Sequence, residues 1–201
     1  MPVGASRSNS APSGLLSIGQ VLARLAELSE QAANGTYSTT QRSAMQNEFV
    51  SLGSEIERIA TTTTFNGVAL LSGNSQLTLQ VGFDAASTSQ IIVNRIEGTL
   101  AGLGLAATGA SSLTYSISGA TADVAQSAAR LALEGVNNAI TSLTSLRGQL
   151  GSVESRLLTA VNNLAVSREN FAAAESRIRD IDVAQEAAEL TRLNILQQSG
   201  A

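Results

Sequence analysis

The stretch LTSLRGQLGSVESRLLTAVNNL, residues 143–164, sets the frame for the whole chain. Its apolar residues fall at Leu143, Leu146, Leu150, Val153, Leu157, Val161 and Leu164, in hops of three or four, and the seam continues at Phe171 and Ile178. That spacing marks an amphipathic helix made to lie along partner helices. No proline interrupts it, and the interior Gly148 and Gly151 each cost only about 1 kcal/mol relative to alanine. The helix is expected from about Asp123 to about Ile181, starting near Thr121 or Ala122, with Asp123 placed well for a positive helix end. Roughly 50 residues at about 1.5 Å each would span about 75 Å. The expectation is therefore a rod, with the rest of the chain covering the seam.

Working outward toward the C-terminus, the pattern breaks at Asp180-Ile181-Asp182. A second amphipathic piece is expected over Val183 to about Gln198, with Ala187, Leu190, Leu193 and Leu196 on its apolar side. An apolar stripe so near the chain end points to a partner that is missing here.

Toward the N-terminus, residues 98–120 are rich in glycine, alanine, serine and threonine, with one apolar piece at Leu100–Leu105. They read as a loose connection. From Phe65 to about Ile96 the period changes to two: Leu77, Leu79, Val81 and Phe83 alternate with Thr78, Gln80 and Gly82. Asp84 to Ser89 is a turn and Ile91 to Ile96 the returning strand of a hairpin. A lone hairpin is marginal in water, so it should pack on the helices. Two helices precede it. The first is expected from Gly14 to Ala33, with Ser13 as a possible cap, a stripe at Leu15, Ile18, Leu22, Leu25 and Leu28, and a left-handed glycine stop at Asn34-Gly35. The second begins near Ser38 or Thr39, carries Met45, Phe49, Leu52, Ile56 and Ile59 on one face, and dissolves in the β-branched Thr61–Thr64 run. Met1 to Pro12 reads as a disordered arm. The fold class is thus mainly α: an elongated antiparallel bundle of two N-terminal helices and one long C-terminal helix, with a packed β-hairpin region. Its divisions are 1–12 and 13–201, the latter split into 13–64, 65–97, 98–120 and 121–201.

Composition removes whole classes of function. The 201 residues hold no cysteine and no histidine. Disulfides, thiol nucleophiles, the commonest metal ligand and the commonest general base near neutral pH go with them. The acidic residues are scattered along helical faces, so no enzyme, metal site or cofactor is expected. A net charge of −4 argues against nucleic acid. No apolar run approaches the roughly 18 residues of a membrane span, and no signal peptide is evident. With 3% aromatic residues, thin helix-on-helix packing fits better than a thick globular core.

Several strings, in this order, resemble bacterial flagellin: Leu25-Ala26-Glu27-Leu28-Ser29-Glu30-Gln31-Ala32-Ala33-Asn34-Gly35-Thr36, then Gln41-Arg42-Ser43-Ala44-Met45-Gln46-Asn47-Glu48-Phe49, then Thr64-Phe65-Asn66-Gly67. The C-terminal ones are Leu150-Gly151-Ser152-Val153-Glu154-Ser155-Arg156-Leu157, Ala165-Val166-Ser167-Arg168-Glu169-Asn170 and Ile195-Leu196-Gln197-Gln198. The resemblance covers about Ser13 to Ala201. It implies the family's rod-like inner domain, a structural subunit of the extracellular flagellar filament, secretion through the flagellar export channel, and other flagellin subunits as partners. The terminal segments that polymerise flagellins are not seen, and only Ala106 to Ala120 stands where outer domains are usually inserted. The resemblance therefore implies a truncated, monomeric core fragment that does not form filaments. It also implies recognition by Toll-like receptor 5, with Arg24, Leu28 and Glu48 at the positions matching the receptor motif. Ala23 and Glu30 depart from common versions of that motif. The competing readings are a hook–filament junction protein and a cytoplasmic chemoreceptor-type signalling rod. The first usually lacks the Ala-Ala-Asn-Gly and Phe-Asn-Gly arrangement, and the period-two segment at Leu77–Phe83 speaks against the second.

Overall fold

A computed structural model describes residues 11–73, 76–82, 84 and 86–200, with side chains throughout except at 180–184. Three α-helices dominate: α1 (Ala11–Ala33), α2 (Thr39–Thr62) and α3 (Ala122–Ser199). Between α2 and α3 lie two small two-stranded sheets, β1 (Thr64–Phe65) with β2 (Val68–Ala69), and β3 (Leu77–Gln80) with β4 (Gln90–Val93). The chain divides into two compact units. One comprises the residues up to Leu79 together with Ile92–Val153; the other comprises Gln80–Ile91 and the residues from Glu154 onward.

The first unit is built as the stripes dictate. Leu15, Ile18, Leu22, Leu25 and Leu28 of α1 are all buried, as are Phe49 and Ile56 of α2, while Met45, Leu52 and Ile59 pack partly buried against them. Each fully buried leucine or isoleucine contributes about 1.5–3 kcal/mol relative to an exposed one. The partner face of α3 is made of small residues: Ala125, Ala129, Ala132, Val136, Ala139 and Leu143, again in threes and fours, all buried. Small side chains let helices approach closely without an aromatic filler. This face leads into the leucine seam, with which it shares Leu143.

Four local expectations change. The first helix begins at Ala11, so Pro12 and Ser13 lie inside it; proline is tolerated in the first turn, where its missing N–H would have no partner. Residues 1–10 of the expected arm lie outside the described residues. Gly35 is not among the left-handed glycines; α1 instead ends as the Asn34 N–H turns back on the Gln31 carbonyl, and the Asn34 side chain accepts from the Thr36 N–H at 3.3 Å. The expected break at Asp180-Ile181-Asp182 does not occur: the backbone is helical straight through, because the segment holds neither glycine nor proline and an irregular apolar pattern does not break backbone hydrogen bonds. Finally, the connection over 98–120 is not loose. Leu100, Leu103, Leu105 and Ile117 are buried in the core, and two α2 side chains hold its backbone. Glu57 accepts from the Leu100 N–H at 3.0 Å and Gln46 from the Ile117 N–H at 2.7 Å.

The start of α2 behaves as its sequence requires. Ser38 caps it, accepting from the Gln41 N–H, while the Gln41 side chain accepts from the Ser38 N–H, a complete capping box. The expected hairpin is present as β3 and β4, though Leu77 is exposed, only Leu79 of β3 is half-buried, and Phe83 lies outside the described residues. A second, unexpected hairpin is β1–β2, pairing Thr64 with Ala69 and Phe65 with Val68. Asn66 and Gly67 form its turn, with φ of 50° and 79°. Positive φ at both central residues is what a two-residue type I′ turn demands, and Asn-Gly is the preferred pair for it.

Candidate functional site

Three surfaces bear on function: the expected receptor motif, the grooves, and the exposed face of α3. The motif divides. Arg24 on α1 and Glu48 on α2 meet across adjoining helices, the Arg24 Nε donating to the Glu48 carboxylate at 2.8 Å. A second bond runs from Arg24 Nη1 to Glu27 at 2.9 Å. The two carboxylates, Glu48 foremost, hold the guanidinium proton more firmly and raise its pKa above the ordinary arginine value. All three side chains are exposed. Leu28 is different: at 1% exposure it belongs to the core. It closes the α1 stripe and packs among the buried core residues beneath the Arg24–Glu48 surface.

Among the described residues, the most deeply buried charge is one to which local sequence assigns no role. Arg42, 1% exposed, sits in the first turn of α2. Its Nη2 donates to the Asn34 carbonyl at 2.8 Å and its Nη1 to the Ala122 carbonyl at 3.1 Å, while Nε has no protein partner. One guanidinium thus ties together the end of α1, the start of α2 and the start of α3. Its neighbours Gln41 and Ser43 give no hint of burial; only the contact across 80 residues does.

Chemistry is sparse elsewhere. One open groove of about 440 Å³ is bordered by Val81, Asp84, Thr88, Asn163 and Ser167. Another of about 380 Å³ lies beside the Arg95–Glu97 ion pair, with Ser142 and Gln149. In the first groove the Ser89 hydroxyl donates to the Asp84 carboxylate, but the chain has no histidine to complete a relay there. Among the described residues no group of three or more acidic side chains could hold a metal ion, and no helix is long and apolar enough to cross a membrane.

The outer part of α3 is the remaining feature. From Val153 onward the apolar residues of α3 are only partly covered: Val153, Leu157 and Leu164 are half-buried, whereas Val161, Ile178, Leu190, Leu193 and Leu196 are each more than half exposed. A helix of 78 residues that leaves apolar side chains in water over its second half defines a class. This is a predominantly helical protein with apolar residues of its longest helix left open in the isolated chain.

The comparisons narrow that class to a family. The model of the bacterial flagellin N-terminal helical region matches residues 2–76, and that of the C-terminal helical region matches residues 133–201. Flagellin of Bacillus subtilis (strain 168) is 37% identical over 89% of this chain and 66% of its own length. Flagellin of Halalkalibacterium halodurans is 34% identical over 98% of this chain and 68% of its own length. The crystal structure of Bacillus cereus flagellin superposes with a TM-score of 0.59 at 25% identity, covering 76% of this chain and 80% of that one. The chain belongs to the flagellin family and spans about two thirds of the length of these two relatives.

Proposed function

We propose that this protein is a structural subunit of the flagellar filament, secreted to the cell exterior, with further flagellin subunits as its partners and no catalytic role. The observation that carries this reading is the set of exposed apolar residues along α3: Val161, Ile178, Leu190, Leu193 and Leu196. Water-exposed leucines at helical spacing are costly unless another helix covers them. In a polymer each such contact can be modest, because repetition along the lattice multiplies it. A chain without cysteine suits export in an unfolded state. Disrupting the coding sequence should leave cells without filaments, or with shortened ones, under the electron microscope. Unchanged filaments and unchanged swimming would contradict the reading. By the same logic of weak single contacts, the isolated chain should sediment as a monomer in dilute solution.

The exposed Arg24–Glu48 pair favours a second reading, recognition of the α1–α2 surface by Toll-like receptor 5. A cation and an anion on adjoining helices present a geometry that a partner can read by complementary charge. Leu28 supports this surface from beneath. Titrating the receptor ectodomain with the chain, beside Arg24→Ala and Glu48→Ala, tests the idea. Equal binding by all three would place recognition elsewhere.

A further inference from the structure

We propose that Asn66 is a spontaneous modification site, converted to aspartate and isoaspartate in the folded protein, whereas the chemically equivalent Asn34 is protected. The sequence contains two Asn-Gly pairs, Asn34-Gly35 and Asn66-Gly67. Glycine leaves the following backbone nitrogen sterically open, since it has no Cβ. That nitrogen attacks the asparagine Cγ. The N–Cγ bond forms, the Cγ–Nδ2 bond breaks, and ammonia departs carrying the proton given up by the backbone amide. Water then opens the five-membered succinimide at either carbonyl, giving aspartate or isoaspartate. No oxidant or enzyme is required.

The two sites differ in how firmly the backbone is held. Attack requires the asparagine to rotate out of its turn, so the rate follows local opening rather than global unfolding. At Asn34 the backbone carbonyl is gripped by the buried Arg42 guanidinium at 2.8 Å, and the side-chain Oδ1 is engaged by the Thr36 N–H. Opening there would strip a buried charge of one of its two partners, which is expensive. At Asn66 both residues of the turn are exposed, and a Cβ placed on Gly67 would meet nothing within 4 Å. The turn is anchored by two strands of two residues each. Isoaspartate would add an atom to the backbone between Phe65 and Val68, breaking the register of both cross-strand pairs, and either product would make the net charge more negative than −4.

The test is to incubate the full chain in mildly alkaline buffer at physiological temperature, native and in denaturant, and to map peptides with fragmentation that separates isoaspartate from aspartate. In the native sample Asn66 should gain the mass of NH2 exchanged for OH several-fold faster than Asn34. In denaturant the two rates should converge. Equal rates in the folded chain, faster conversion at Asn34, or an Asn66 that stays intact while the denatured chain converts would each overturn the proposal. Asn66→Gln should remove the early product, and its persistence would count equally against the site.

Discussion

At the scale of the residue, Arg42 carries the strongest prediction. Replacing it by methionine keeps the aliphatic stem but leaves the Asn34 and Ala122 carbonyls without their charged donor. Charge-assisted hydrogen bonds contribute more than neutral ones, so a loss of about 2–4 kcal/mol is expected in urea unfolding. A change within error would mean that the three helix ends do not need the tie. Gly53 makes a steric counterpart. A Cβ there would come within 2.4 Å of Leu113, so Gly53→Ala must displace that half-buried side chain from the core, costing about 1–3 kcal/mol despite alanine's better helix propensity. The Arg58–Glu55 pair adds a pH signature. Two hydrogen bonds of 2.5 and 2.6 Å from Arg58 lower the Glu55 pKa. Its stabilisation is therefore present above the ordinary glutamate range and is lost as pH falls through the lowered value. Glu55→Gln should be slightly less stable than the parent at neutral pH and indistinguishable from it in strong acid; a difference that persists in acid would point to packing instead.

At the scale of the element, the connection over 98–120 is where long-range contact overrules composition. Glycine, alanine, serine and threonine predict mobility, yet Glu57 and Gln46 hold two of its amides and four apolar residues fill the core. Glu57→Ala should speed amide exchange at Leu100 while leaving α2 itself protected; unchanged exchange would show that burial of the leucines suffices. This contrast explains what was legible in the sequence. The α1 and α2 stripes and the start of α2 near Ser38 follow from local periodicity, so they could be read directly. The Asn66-Gly67 hairpin was not expected, because its two-residue strands are too short to show a period of two. The alanine face of α3 was hidden because alanine is common throughout the chain, so threes and fours of it do not stand out. Of the candidate receptor residues, Arg24 and Glu48 could be placed on the surface. Leu28 could not, because the last position of a stripe is buried or exposed according to what the neighbouring helix brings.

At the scale of the whole molecule, the two units should differ in stability. Isolated helices draw little stability from propensity alone and need tertiary packing. Hydrogen exchange should therefore be slow over Ala125–Leu143, whose inner face is buried, and fast over Leu190–Leu196, whose side chains lie in water. Uniform protection along α3 would mean that its outer half needs no partner. The central claim is that such partners are other copies in a filament. Gold-labelled antibodies raised against this chain, applied to intact cells of the source bacterium, test it most directly. The expected result is label distributed along the length of the flagellar filament. Label confined to the cell body, with bare filaments beside it, would contradict a filament subunit.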